Sequence, residues 1–315
     1  MISTETLPAL PSRVLDVDAL HSPSKLSLVE SCGRHGHYVT LSHVWGQQRI
    51  ITTTATNIRE QMQSIRLETL SQTFKIAISI VRKLNIRYIW IDSLCIIQDD
   101  PKDWAVEAAK MGGYYLNSLF NIAAVSAYDG YTGRFMRYMP LKITPCPITV
   151  RFSASAQNTD GFQRPTLWQR AWVLQERLLS PRLLLFSEMQ MSWLCRTEEA
   201  SERVPEGTSR FIDLKHSDKA FRSAILGFTS LINLYNSWYD LVMLYGKCSL
   251  TVKSDIFPAI SGIARAIGRA TGDEYYAGHW RNDLHRGLLW TAPDSTASHV
   301  DLREHRAPSW SWASL

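Results

Sequence analysis

From residue 38 to residue 126 the chain switches repeatedly between unbroken apolar runs and apolar residues spaced three or four apart. The first run is Tyr38–Val44, which ends in the turn Trp45-Gly46. Leu70, Phe74, Ala77, Ile78, Val81 and Leu84 then recur at helical steps, with Ser71 placed to cap the helix they predict. Arg87–Ile91 is a continuous β-branched and aromatic run, the pattern of a strand covered on both faces, and Asp92 follows at its carboxyl end. Asp99-Asp100-Pro101 reads as a helix start, because an acidic cap satisfies free amides and proline presets the first helical φ. Trp104, Ala108, Met111 and Tyr115 mark that helix's inner face, and Phe120–Ser126 is the third run. The order strand, helix, strand, helix, strand predicts an α/β fold in which the three runs are adjacent parallel strands flanked by helices.

Outside this block the pattern is less regular. Residues 1–37 read as loop with one short extended piece, Ser12–Val17, and residues 127–165 as a long connection with one strand, Pro147–Phe152. A helix over Thr166–Leu179 and strands over Leu183–Phe186 and Met189–Cys195 complete the α/β part. After a polar stretch at 197–219, helices are predicted over Phe221–Leu244, with Leu231, Ile232, Tyr235 and Trp238 inward, over Ile256–Ala266 and over Gly278–Trp290. The expected organisation is an α/β domain over 1–196 and a helical C-terminal lobe over 197–315 packed on it. The Trp/Ser alternation around Trp310 and Trp312 reads as a half-buried strand which, with Trp290, packs on the α/β part.

Composition narrows the function classes. Hydrophobic residues at 45% and charged residues at 20% exclude a disordered, collagen-like or coiled-coil chain. The net charge of +5 is scattered without a block of like charges, which points away from nucleic acid. No apolar stretch reaches the ~18 residues of a membrane span and the start lacks a secretory pattern, so no membrane association and a cytoplasmic location are expected. The 5 cysteines are odd in number and form no C-x-x-C pair, which argues against a disulfide framework. Cys32-x-x-His35-x-His37 has no second cluster to complete a tetrahedral site, so no metal is expected. The glycine-rich dinucleotide fingerprint, the phosphate loop, the esterase elbow and the H-E-x-x-H motif are all absent from the sequence.

In an open parallel sheet, ligands bind beyond the carboxyl ends of the strands. Ser42, His43 and Trp45 end the first strand, Asp92 and Ser93 the second, and Arg170, Trp172 and Glu176 lie on the helix after the third. Residues 172 and 176 are one helical turn apart, which predicts a ring and a carboxylate sharing one surface. Each residue alone has an ordinary explanation: Trp172 as core, Asp92 as a cap or arginine partner, His43 as a satisfied strand histidine. Their convergence at one end of the sheet makes them a site, with Glu176, Asp92 and His43 as catalytic candidates and Ser42, Trp45, Ser93, Arg170 and Trp172 as ligand-binding candidates.

Tyr38-Val-Thr-Leu-Ser-His-Val-Trp-Gly46, Arg87-Tyr-Ile-Trp-Ile-Asp-Ser-Leu-Cys-Ile-Ile-Gln-Asp99, Arg170-Ala-Trp-Val-Leu-Gln-Glu176 and Leu179-Ser-Pro-Arg182 occur in this order. Together with Tyr276-Ala-Gly-His-Trp280 and Ala307-Pro-Ser-Trp-Ser-Trp-Ala-Ser314, they resemble the fungal HET (heterokaryon incompatibility) domain. Val44 stands where that family usually shows a cysteine, so no thiol role carries over to that position. The resemblance implies a protein that triggers growth arrest or cell death when incompatible hyphae fuse. HET domains are in turn distantly similar to TIR domains, whose sheet is flavodoxin-like and some of which hydrolyse NAD with a Glu four residues after a Trp; Trp172 and Glu176 match that spacing.

The sequence is compatible with three functions. One is NAD cleavage by Glu176, with NAD as substrate and no required cofactor. A second is a non-catalytic module acting by self-association, as a homo-oligomer. The third is a standalone enzyme on a small organic metabolite in secondary metabolism, using Asp92, His43 and Glu176 as acid/base groups.

Overall fold

A computed structural model describes residues 7–18, 22–46, 50–125, 165–187, 190–195, 198–207, 221, 230–291 and 306–314. The strand expected at Pro147–Phe152 and the end of the third run at Ser126 lie outside these residues. The described strands are β1 (Arg13–Asp16), β2 (Lys25–Glu30), β3 (Tyr38–Ser42), β4 (Ile65–Arg66), β5 (Tyr88–Trp90), β6 (Asn121–Ala124), β7 (Leu183–Phe186), β8 (Met191–Leu194) and β9 (Glu199–Ser201). Among the described residues they form one sheet in the order β4-β2-β1-β5-β3-β6-β7-β8-β9.

The centre is parallel, as the runs predict: β3 pairs with β5 on one side and β6 on the other, and β6 with β7. Both flanks are antiparallel, so the sheet is mixed where a parallel one was expected. One flank comes from the segment read as loop. β1 coincides with the extended piece, whereas β2 hides its alternation in six residues, with Leu26 and Leu28 inward, between polar neighbours. Such a strand becomes legible only through the partner it pairs with.

The helices follow their capping signals. In α2 (Gln72–Lys83) the Ser71 side chain accepts from the Phe74 amide at 3.2 Å, and Phe74, Ala77, Ile78 and Val81 are buried. In α4 (Pro101–Asn117) Asp100 accepts from the amides of Lys102 and Asp103, ahead of the buried Ala108, Met111 and Tyr115. The short α1 (Ile58–Gln63) precedes α2, and a single turn, α3 (Asp92–Cys95), lies between α2 and α4. The helix predicted over Thr166–Leu179 is broken: a 3-10 turn covers Thr166–Gln169, Arg170 is extended, and α5 spans Ala171–Leu179. The cause is non-local. The Ala171 amide donates to the Ser249 carbonyl at 3.1 Å and the Ser249 amide to the Gln169 carbonyl, which draws the backbone out of the helix at Arg170.

The C-terminal part contains α6 (Leu231–Tyr245) and α7 (Pro258–Thr271). Leu231 and Ile232, expected inward, are exposed in the first turn of α6, while Tyr235 and Trp238 are buried. Gly278–Trp290 is not a helix. Strands β10 (Tyr275–Tyr276) and β11 (His279–Trp280) form a hairpin, followed by a 3-10 turn and the short α8 (Leu284–Gly287). The hairpin turn needs positive φ at Ala277 (41°) and Gly278 (102°), and a Cβ on Gly278 would clash with the Trp312 indole. Trp312 donates to the Gly278 carbonyl at 3.0 Å and packs edge-on against Tyr245 and Phe257. The Trp/Ser alternation is therefore a turn and a 3-10 segment seated on the C-terminal helices, with Trp310 exposed, rather than a strand on the sheet side.

The α7 helix packs on α4 and α5 through glycine. A Cβ on Gly262 would lie 2.8 Å from the Gly112 Cα and 2.6 Å from the Gln175 Oε1, which accepts from the Gly262 amide at 3.2 Å. Gly262→Ala is expected to cost about 1–3 kcal/mol in urea unfolding by overpacking, and an unchanged midpoint would show that the helices yield freely there.

Candidate functional site

Three elements converge on the carboxyl end of β3. The strand presents Ser42 and His43 at its end, β5 delivers Asp92 at the start of α3, and α5 lays Glu176 against the sheet. Glu176 is buried. The Ser42 Oγ donates to Glu176 Oε2 at 2.5 Å and itself accepts from the Asn121 Nδ2 at 2.8 Å, while the Thr40 hydroxyl donates to Asn121 Oδ1 at 3.2 Å. Burial pushes the Glu176 carboxyl up to about 7; the Arg170 charge opposes this, the Asp92 charge adds to it, and hydrogen bonds from Ser42 and Tyr115 oppose it. The Tyr115 hydroxyl is pushed well above its ordinary range by burial and by the charges of Glu176 and Asp92, so it stays a donor.

Asp92 anchors the second half of the site. Its Oδ2 accepts from the Trp45 indole at 2.9 Å, its Oδ1 from the Ser93 amide at 2.7 Å, and His43 Nδ1 lies 3.6 Å from the same Oδ1. Burial pushes His43 down to about 4, against the opposing Asp92 charge and with help from Arg170. The imidazole is therefore neutral at physiological pH, and its contact with Asp92 is dipolar rather than an ion pair. The ring packs edge-on against Phe74 at 4.9 Å, and its Nε2 is buried with no hydrogen-bond partner among the described residues. Arg170 donates through Nη1 to the His43 carbonyl, which ties the break before α5 to the end of β3.

Ser42, His43, Trp45, Asp92, Ser93, Arg170 and Glu176 are thus linked by direct bonds, by charge or by adjacency in the chain. Ser93 contributes its backbone; its hydroxyl is buried without a partner among the described residues. Trp172 sits apart. Its indole donates to Asp255 at 3.1 Å and meets Trp104 edge-on at 6.1 Å, so it faces α4 and the C-terminal part while Glu176 faces the sheet. Helical spacing predicts a shared surface only when one side of the helix is covered, and α5 is buried on both. Asn121, Tyr115 and Thr40 are members that the sequence pattern did not assign to the site. The available signal was Asn121, an amide inside an otherwise apolar run, which in a buried strand requires partners.

The arrangement offers a carboxyl that titrates near neutrality, a hydroxyl bonded to it, a neutral imidazole and a half-buried arginine. Among the described residues no group of three or more His, Cys, Asp or Glu is placed to hold a metal ion, and no helix is long and apolar enough to cross a membrane. Comparison with curated proteins and with solved structures returns no match. The family model described as heterokaryon incompatibility protein (HET) matches residues 38–176, a span that opens on β3 and closes on Glu176 itself. Residues 38–176, somewhat under half of the chain, thus match the heterokaryon incompatibility (HET) domain family.

Proposed function

We propose that this HET domain cleaves the bond between nicotinamide and ribose in NAD, with Glu176 as the group that stabilises the reacting carbon. The observation that carries this reading is a buried glutamate, bonded to Ser42 at the carboxyl end of the central parallel strands, whose ionisation falls near neutral pH. In the reaction the C1′–N bond breaks and nicotinamide leaves with the bonding pair as a neutral base. Positive charge develops on the ribose, and the ionised Glu176 stabilises it. Water then adds its oxygen to C1′ and gives up a proton, leaving ADP-ribose. Arg170, whose Nη1 is used on the His43 carbonyl, has further guanidinium donors for the diphosphate. The half-buried Trp45, oriented by Asp92, offers a face to the nicotinamide or the adenine.

The reading has a pH signature. Because burial raises the Glu176 carboxyl, its ionised fraction grows as pH rises through about 7, while His43 is already neutral above about 4. Nicotinamide release under saturating NAD is expected to rise with pH and level off above that value. A rate that falls, or stays flat, across the same range would contradict the assignment.

A second reading is favoured by one specific observation, the chain of bonds from Glu176 through Ser42 and Asn121 to Thr40. A network so well satisfied also suits a core keystone, and the family then acts through self-association rather than catalysis. Glu176→Gln separates the two by its effects on nicotinamide release and on stability.

A further inference from the structure

At the opposite end of β3 from Ser42, beside Tyr38, a cleft of about 580 Å³ opens between α4 and α7. Gly112, Gly113, Gly262 and Ala266 are among the residues lining it, and Gly112 and Gly262 bring the two helices close together. The charged side chains lining it are Lys110, Arg265 and Arg269, and among the described residues no carboxylate lines it. Tyr38 and Ser42 are four residue steps apart along β3, about 13 Å at ~3.3 Å per residue, so the cleft is distinct from the Glu176 site.

The two arginines lie one turn apart on α7, where like charges repel. Partial desolvation at the cleft wall and the neighbouring Arg269 charge both push the Arg265 guanidinium below its ordinary value. The bonds Arg265 makes are to its own helix, from Nε to the Ser261 carbonyl at 3.4 Å and from Nη2 to the Ser261 hydroxyl at 3.1 Å. No carboxylate among the described residues pairs with either arginine. Lys110 on α4 reaches the Ser12 hydroxyl at 2.8 Å and Glu107 at 3.3 Å; Glu107 also accepts from the Tyr114 hydroxyl and lies outside the lining. Two arginines with no carboxylate partner among the described residues repel each other on one wall of a concave site, with Lys110, ion-paired to Glu107, on the other, a charge arrangement suited to a multiply charged anion. Guanidinium forks match phosphate oxygens in pairs, and the volume falls in the range of small-ligand sites.

We infer that the α4–α7 cleft is a binding site for a diphosphate group, carried on a nucleoside or free, held by Arg265 and Arg269 from one wall and Lys110 from the other. The inference does not depend on NAD cleavage.

Isothermal titration of the whole protein with ADP, inorganic pyrophosphate and adenosine tests it. ADP and pyrophosphate are expected to bind and adenosine to give no heat; tighter binding of ADP than of pyrophosphate would assign the site to a nucleotide, and the reverse to the free anion. Arg265→Gln/Arg269→Gln is expected to weaken the diphosphate ligands by about tenfold or more, whereas Lys83→Gln, on the exposed end of α2, leaves them unchanged. Both arginines are solvent-exposed, and Arg269→Gln alone serves if the double variant melts early. Absence of heat with ADP and pyrophosphate at millimolar concentration, equal affinity in the arginine variants, or adenosine binding as tightly as ADP would each overturn the inference.

Discussion

Asp103→Ala is expected to destabilise the protein by about 3–5 kcal/mol in urea unfolding, the largest loss from any single substitution considered. Arg13 on β1 donates through Nη2 to Asp103 Oδ2 at 2.5 Å and through Nε to the Cys95 carbonyl at 2.8 Å. The same carboxylate oxygen accepts the Ile97 amide at 2.8 Å, so one carboxylate ties the flank strand, the turn after β5 and the first turn of α4 together. With side-chain exposures of 9% and 14%, neither partner can be rehydrated in place. Removing the acid strands a buried guanidinium and an amide, whereas Arg13→Met/Asp103→Leu removes both charges and is expected to recover most of the loss. A single variant within about 1 kcal/mol of wild type would show the pair to be solvated like an ordinary surface bridge.

Glu176→Gln is expected to lower nicotinamide release by about 10²–10³-fold, the scale of losing one preorganised electrostatic group. The amide keeps the volume and still accepts the Ser42 hydroxyl, so the fold is retained. Stability gives a second, independent signature. The folded-state carboxyl is raised from 4.5 to about 7, so the unfolded chain ionises first and ionisation opposes folding. Wild type keeps the full benefit of the neutral carboxyl below about 4.5 and loses it progressively until pH passes about 7. The variant, neutral throughout, lacks this loss, and any contribution from His43 cancels in the difference. Relative to the variant, wild type should therefore lose on the order of 3 kcal/mol across that window. If Glu176 were instead an ionised keystone, the variant would be the less stable protein at neutral pH, by about 1–3 kcal/mol.

The central strands and their helices were legible because each carries a local signal that its surroundings reinforce: the apolar runs of β3, β5 and β6, the Ser71 cap, the Asp100-Pro101 start. The rule that ligands gather at the carboxyl ends of parallel strands was enough to bring Ser42, Asp92 and Glu176 together. What escaped depends on distant partners. The Arg170 break is imposed by Ser249, the hairpin at Gly278 by left-handed backbone against Trp312, and the exposure of Leu231 and Ile232 by their place in the first turn of α6. Trp172 followed the helical spacing, but spacing cannot say which of two buried sides a ring will take. Tyr115 was read as a core residue, and only the packing of α4 on the sheet shows its hydroxyl beside Glu176.

The measurement that bears most directly on the assignment is nicotinamide released from NAD by purified protein, followed by chromatography at pH about 8 over a range of protein concentrations, with Glu176→Gln in parallel. The expected result is steady release by wild type that Glu176→Gln reduces by at least about a hundredfold without loss of folded protein. No release by wild type at any concentration, or equal release by the two proteins, would contradict it.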